Sequence, residues 1–228
     1  PGSTDPPMAT TAPRSVLTET FWRAEGAGLW VKRAVLVVAG VIALIICAKI
    51  KVPVWPSPVA ISLGTFAVLT IGAAYGPRLG LATMAAWMLV GALGFDVFQS
   101  SSAEKYGLAY MLGATGGYLV GYLLATVALG QAARRGWDRS VGGMALALLA
   151  GNVLIYVPGL LWLGYLIAAG LFDPAKYASV WDQTLAWGLT PFLIGDALKL
   201  GLAALLVPAL RTGRQEIVLT TDDVAALS

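Results

Sequence analysis

The sequence predicts an all-α membrane protein of six transmembrane helices, with both termini on the cytoplasmic side. Three observations predict it. Of 228 residues, 58% are hydrophobic and only 12% charged, about half the charged share of an ordinary soluble domain. The apolar residues gather into six runs, each near the ~20 residues needed to cross a bilayer or close enough to reach with its flanks. The basic residues fall unequally on alternate connections, as orientation in a membrane requires. Lipid offers backbone groups no partner, so each run must be helical.

In chain order, residues 1–7 read as an expression scar ahead of Met8. Residues 8–33 are polar enough for a cytoplasmic tail or an interfacial helix. The transmembrane domain is expected over residues 34–210, and 211–228 form a polar cytoplasmic tail. The spans are Ala34–Ala48, Val59–Tyr75, Leu79–Phe98, Leu108–Leu129, Val141–Ala169 and Thr184–Leu210. The first is short, but Lys32, Arg33, Lys49 and Lys51 flank it and can snorkel. The fifth is long, so it must tilt or include a loop stretch after Pro158. With the N-terminus inside, ten basic residues face the cytoplasm: Arg14, Arg23, Lys32, Arg33, Arg78, Arg134, Arg135, Arg139, Arg211 and Arg214. Four face outward: Lys49, Lys51, Lys105 and Lys176. That bias favours both termini inside.

Small residues recur at four-residue spacing: Gly72, Gly76 and Gly80, Gly113, Gly117 and Gly121, and Ala39 with Ala43. In lipid such spacing ordinarily means close helix packing. Between the first two spans, Lys51 to Pro58 carries three prolines in six residues, a stiff connector or a wall over the outer mouth. The polar connection from Gln99 to Tyr106 can cover a site in the same way.

Several chemistries are excluded. With no His and one cysteine, Cys47, the usual zinc ligand sets cannot form, nor can Ser-His or Cys-His nucleophile pairs. No metal site is expected. No P-loop is present, so ATP hydrolysis would need another subunit. A net charge of +3 clustered at helix ends is topology rather than a nucleic-acid patch.

What remains is a set of polar residues inside the spans. Asp196 and Lys199 lie three apart in the sixth, on one helix face. Each charge at the bilayer centre costs about 2.5–3.5 kcal/mol on the insertion scale, so the pair reads as functional before it reads as structural. Asn152 and Tyr156 share a face of the fifth span, and Thr115 and Tyr118 lie in the fourth. Alone, these would be interhelical hydrogen bonds or packing. Depth changes the weighing. At 1.5 Å per residue, Tyr118, Asn152 and Asp196 lie about 16–18 Å from the nearer counted ends of their spans. A polar layer at one height on three consecutive helices is what a small-ligand site in a bundle needs.

These residues together resemble BioY, the biotin-binding substrate component of energy-coupling factor (ECF) transporters. The resemblance covers about Val52 to Val207. It rests on the Pro-rich run leading to Ile61-Ser62-Leu63-Gly64-Thr65-Phe66-Ala67, then Gly76-Pro77-Arg78-Leu79-Gly80 and Gly113-Ala114-Thr115-Gly116-Gly117-Tyr118-Leu119. It continues with Gly151-Asn152, Tyr156 with Trp162, and Pro191-Phe192-Leu193-Ile194-Gly195-Asp196 with Lys199. Ala114, Gly64 and Asp96 depart from the family's usual Pro, Gln and Pro.

The resemblance implies an ECF substrate-component bundle that captures biotin from outside and delivers it inward, as cargo rather than cofactor. It implies a multi-pass protein of the bacterial inner (plasma) membrane. Its partners are lipid, and either a transmembrane coupling subunit with ATPase subunits or further copies of itself. Ala39 and Ala43 resemble the small-residue contact made towards the coupling subunit. Asp196 is an apt acceptor for the ureido N–H groups of biotin, Asn152 can donate and accept, and Lys199 can donate to the ureido oxygen. Tyr118, Tyr156 and Trp162 can wall the apolar ring, with Thr115 beside them. The reversed pose, Lys199 on the carboxylate, stays open. The rival within this architecture is another small vitamin. An intramembrane aspartyl protease is disfavoured because residue 193 is Leu, leaving only Ile194-Gly195-Asp196. A purely structural scaffold leaves the buried charge pair unexplained.

Overall fold

The computed structural model describes residues 15–21, 26–52, 61–101, 105–172 and 177–226. Side chains are described up to residue 210, apart from Phe21. The expected scar, Met8 and the prolines at 53, 56 and 58 lie outside the described residues. The chain is a helical bundle: α1 (Leu17–Phe21), α2 (Ala27–Lys49), α3 (Gly64–Ala92), α4 (Gly107–Met111), α5 (Gly116–Arg134), α6 (Val141–Ala168), α7 (Val180–Gly188) and α8 (Leu193–Ala226). A two-residue ribbon, β1 (Lys51–Val52) against β2 (Ile61–Ser62), is antiparallel and pairs Lys51 with Ser62. Four stretches are long and apolar enough to cross a membrane by length and composition: Ala27–Lys49, Gly116–Arg134, Val141–Ala168 and Val180–Leu210. α2 starts at Ala27, ahead of the Ala34 expected, and α8 stays helical past Leu210 to Ala226.

The two remaining apolar runs are the arms of α3. Its helix breaks at Gly76, with φ 76° and ψ 175°, a region essentially open only to glycine. Pro77 follows, pre-set for the first position of a new helix. The arms fold back on each other: a Cβ on Gly80 would sit 3.6 Å from the Cα of Gly72. In a straight helix these residues would be ~12 Å apart along the axis. Thr126 of α5 packs into the same place, its Cα 3.0 Å from a Cβ on Gly72 and its Cγ2 2.8 Å from one on Gly80. The four-residue glycine spacing here therefore marks a hairpin wedged against a third helix.

α5 lies between α3 and α6. Its approach to α6 is set by Gly117 and Gly121. A Cβ on Gly117 would fall 2.2 Å from the Pro158 carbonyl oxygen, and one on Gly121 would fall 2.6 Å from Ile155 Cα. α6 runs unbroken through Pro158. The loop stretch considered after that proline does not form, and the lost hydrogen bond is accommodated in this tightly packed turn. Gly113, by contrast, belongs to the turn before α5 rather than to a helix contact. Threonine hydroxyls bond back within their own helices: Thr70 to Phe66, Thr83 to Leu79 and Thr126 to Tyr122. Each hydroxyl so carries its own acceptor into an apolar setting.

The sixth expected span is not one helix. It is α7, a 3-10 turn at Thr190–Phe192 carrying Pro191, and α8. At the Arg134 end of the bundle, α1 packs on the α3 break. Val16 is fully buried, and Glu19 receives a two-pronged bond from Arg134 at 2.8 and 2.5 Å.

Candidate ligand-binding site

A cleft lies among α3, α5, α6 and α8 in the half of the bundle nearer Lys49. The broken sixth span supplies its charged side. Because α8 starts afresh at Leu193, Asp196 falls in a first helical turn, where the helix dipole favours a carboxylate. Asp196 is 5% exposed. It accepts from Lys199 Nζ at 2.8 Å and from the Tyr156 hydroxyl. The pair is neutral as a unit, and its side chains are only 7% and 10% exposed.

The break also frees the carbonyl of Gly188 at the end of α7. Tyr118 donates to it at 2.8 Å, satisfying an orphan helix-end acceptor. The Tyr118 ring lies over Gly159, where a Cβ would meet it at 2.5 Å. It stands edge-on to Tyr156, centroids 6.1 Å apart. Thus Tyr118 from α5, Tyr156 from α6 and Asp196 from α8 meet around one cleft. Thr115, in the turn before α5, lines it too.

Two expected residues do not line it. Trp162 is half-buried behind the turn before α5 and donates its indole N–H to the Gly113 carbonyl at 2.8 Å. Asn152 is one helical turn from Tyr156 towards the Arg134 end and is 7% exposed. Its Oδ1 has no hydrogen-bond partner among the described residues. Ala39 is exposed and Ala43 half-buried on α2, while Gly40 between them turns into Thr83 and Tyr75 of α3.

The sequence reading missed much of the remaining wall: Ser62, Thr65, Trp87, Phe98, Gln99, Tyr110, Tyr122 and Phe192. Tyr122 was findable, since it sits one turn after Tyr118 on the same face. Phe98, Gln99 and Ser62 come from connections, where helical spacing carries no signal. Trp87, Phe98 and Tyr110 form one aromatic cluster: Phe98 stacks on Tyr110 at 4.9 Å and meets Trp87 edge-on at 5.0 Å. The cleft is therefore apolar and aromatic, with hydroxyls at its margin and one ion pair, suited to a flat, partly polar molecule.

The BioY family model matches residues 15–216. A Pyrococcus horikoshii protein named "Probable biotin transporter BioY" is 30% identical over 164 residues, covering 72% of this chain and 86% of its own length. The Thermotoga maritima biotin transporter BioY is 30% identical over 174 residues, 76% of this chain and 91% of that protein. The fold is similar to the crystal structure of the S-component for biotin from an ECF-type ABC transporter. That likeness has a TM-score of 0.66 at 22% identity, over 83% of this chain and 95% of that one. The chain belongs to the BioY family.

Proposed function

We propose that this protein is a membrane-embedded biotin carrier that binds the vitamin from outside and delivers it inward. The carrying observation is a buried Asp196–Lys199–Tyr156 cluster in an aromatic cleft, in a chain of the BioY family. The ureido head of biotin has two N–H donors and one carbonyl acceptor. Asp196 takes the N–H groups through charge-assisted bonds, Lys199 holds the ureido oxygen, and Tyr118 and Tyr156 flank the apolar ring. Thr115 borders the ring, and the valerate carboxylate points towards the Lys49 end. Asn152 and Trp162 act from behind this wall, Trp162 by fixing the turn that carries Thr115. Biotin is cargo here, not a cofactor, and no chemical step is catalysed.

Both arms of α3 cross with the other four apolar stretches, giving six spans. The excess of Arg and Lys at the Arg134 end puts that end in the cytoplasm of a bacterial cell, with N- and C-termini inside. The cleft then opens on the external half of the plasma membrane. The Ala39–Ala43 edge of α2 is the face for a coupling subunit with its ATPases, or for a second copy.

Native mass spectrometry of the purified protein tests the reading. One biotin per chain, retained from expression or added by titration, supports it. A chain that takes no biotin at any concentration overturns it and moves the ligand to another small vitamin in the same cleft.

A further inference from the structure

Lys49 is the last residue of α2, and its ammonium has three donors to place. All three have acceptors on one short segment. They are the Asp96 carboxylate, the Phe98 carbonyl at 2.8 Å and Ser101 Oγ at 3.4 Å. Ser101 Oγ lies 2.5 Å from Asp96 and accepts from the Phe98 amide at 3.1 Å. Both backbone groups of Phe98 are thus pinned, its carbonyl by Lys49 and its N–H by Ser101. The hydrogen bond from Lys49, then that from Ser101, holds the Asp96 carboxyl below its ordinary range.

The pinned segment faces the cleft. Phe98 is 1% exposed and lines the cleft beside Gln99. The ring fits because residue 91 is glycine: a Cβ there would lie 2.2 Å from Phe98 Cζ. Gln99 is tied from the other side, its Oε1 accepting from Ser62 Oγ at 2.8 Å. Ser62 belongs to β2, whose partner β1 starts two residues after Lys49. One end of α2 therefore fixes the wall segment both by an ion pair and through the ribbon.

We propose that Lys49, Asp96 and Ser101 form a latch that positions Phe98 and Gln99 in the ligand cleft and sets how long the ligand stays. They are positioning residues. None of the three lines the cleft. The side chains of Lys49 and Asp96 are 31% and 59% exposed, so the pair adds little to global stability. Its effect is local, on the order of residues 96–101. That exposure also lets water compete for the pair, so the latch opens without unfolding the bundle. The ligand in this inference is the biotin of the proposed function.

Two measurements on the full chain in nanodiscs test it, and the first uses no ligand. Lys49→Met and Asp96→Asn should raise amide hydrogen exchange in residues 96–101 while leaving α5 and α6 unchanged. Lys49→Arg, which keeps the charge and the donors, should stay near wild type. The second follows loss of radiolabelled biotin after dilution. The same two variants should release it about tenfold faster, equivalent to about 1.4 kcal/mol, with association changed by less than about threefold. Wild-type exchange over 96–101 in both variants overturns the latch. So does faster exchange there with unchanged biotin release. Faster exchange in a chain that binds no biotin at any concentration leaves the latch standing and refutes the biotin reading alone.

Discussion

Replacing Asp196 with Asn keeps the shape of the side chain and removes its charge, which makes it a sharp probe of the proposed acceptor. In the folded chain Asp196 already accepts from Lys199 at 2.8 Å and from Tyr156, and it is 5% exposed. A hydrogen bond to a charged acceptor contributes about 1.5–3 kcal/mol, so its loss should weaken biotin binding by about 10- to 150-fold. The substitution also strips the buried Lys199 ammonium of its counter-ion. Breaking a buried pair from one side destabilises by about 3–5 kcal/mol, less here because an amide oxygen remains. Loss of binding in this variant alone could therefore reflect a shaken helix. The double variant Asp196→Asn with Lys199→Met separates the two effects. Removing the ammonium as well abolishes the uncompensated buried charge, the costly part of breaking such a pair from one side, so apparent Tm without ligand should recover towards wild type. Affinity should not recover, because neither the acceptor for the ureido N–H groups nor the donor to its oxygen is present. Calorimetric titration in nanodiscs, with thermal unfolding of the ligand-free protein as the control, reads both quantities. A double variant that binds biotin within about threefold of wild type refutes the assignment of Asp196 as a ligand contact.

Other perturbations test the parts that hold this cluster in place. Tyr156→Phe keeps the ring against Tyr118 and removes one donor to Asp196. Thermal unfolding of the ligand-free protein should show a loss of about 1.5–3 kcal/mol, the scale of one hydrogen bond to a charged acceptor, and titration a weaker site. Gly76→Ala forces a Cβ into a glycine-only region and within 3.1 Å of Val16 Cγ1. It should destabilise by about 1–3 kcal/mol, seen as a fall of several degrees in Tm. Gly117→Ala drives a Cβ to 2.2 Å from the Pro158 carbonyl. Thermal unfolding should show about 1–3 kcal/mol of overpacking strain, and titration a weaker site, because α5 and α6 carry Tyr118 and Tyr156. Bulky residues at both Ala39 and Ala43 should spare biotin binding and impair transport coupled to partner subunits. Equal loss of binding would make that stripe internal packing.

How much of this was legible in the sequence depends on where each residue sits. The helices were readable because apolar runs in lipid have one allowed conformation. Asp196 and Lys199 stood out because a charge there needs a reason, and the coincidence in depth with Tyr118 pointed to neighbours on α5 and α6. That argument also nominated Asn152. Asn152 and Tyr156 share a face, so the miss is one of height: the cleft lies one helical turn, about 6 Å, nearer the Lys49 end and meets Tyr156 instead. Phe98 and Ser62 were not singled out as wall residues, and Gln99 only as the start of a connection able to cover a site, because connections lack the periodicity that reports a face. Their place is set by tertiary bonds, such as that from Lys49, across 49 residues of sequence to the Phe98 carbonyl.

The break in the sixth span ties these observations together. An unbroken helix through Thr190 would have no free carbonyl at Gly188 for Tyr118 to donate to and no helix N-terminus behind Asp196. Pro191 in the 3-10 turn has no N–H to continue the hydrogen bonding of α7, and the break leaves backbone groups that must find partners inside the protein. Tyr118 answers the carbonyl end, and the dipole at the start of α8 favours the carboxylate. Lys199, one turn further along, neutralises it. The interruption that costs helix hydrogen bonds thus creates the polar corner a ligand can use. The prediction is that removing it with Pro191→Ala will straighten the span and weaken biotin binding more than it lowers Tm. If affinity holds while Tm falls, the break serves the fold and not the site.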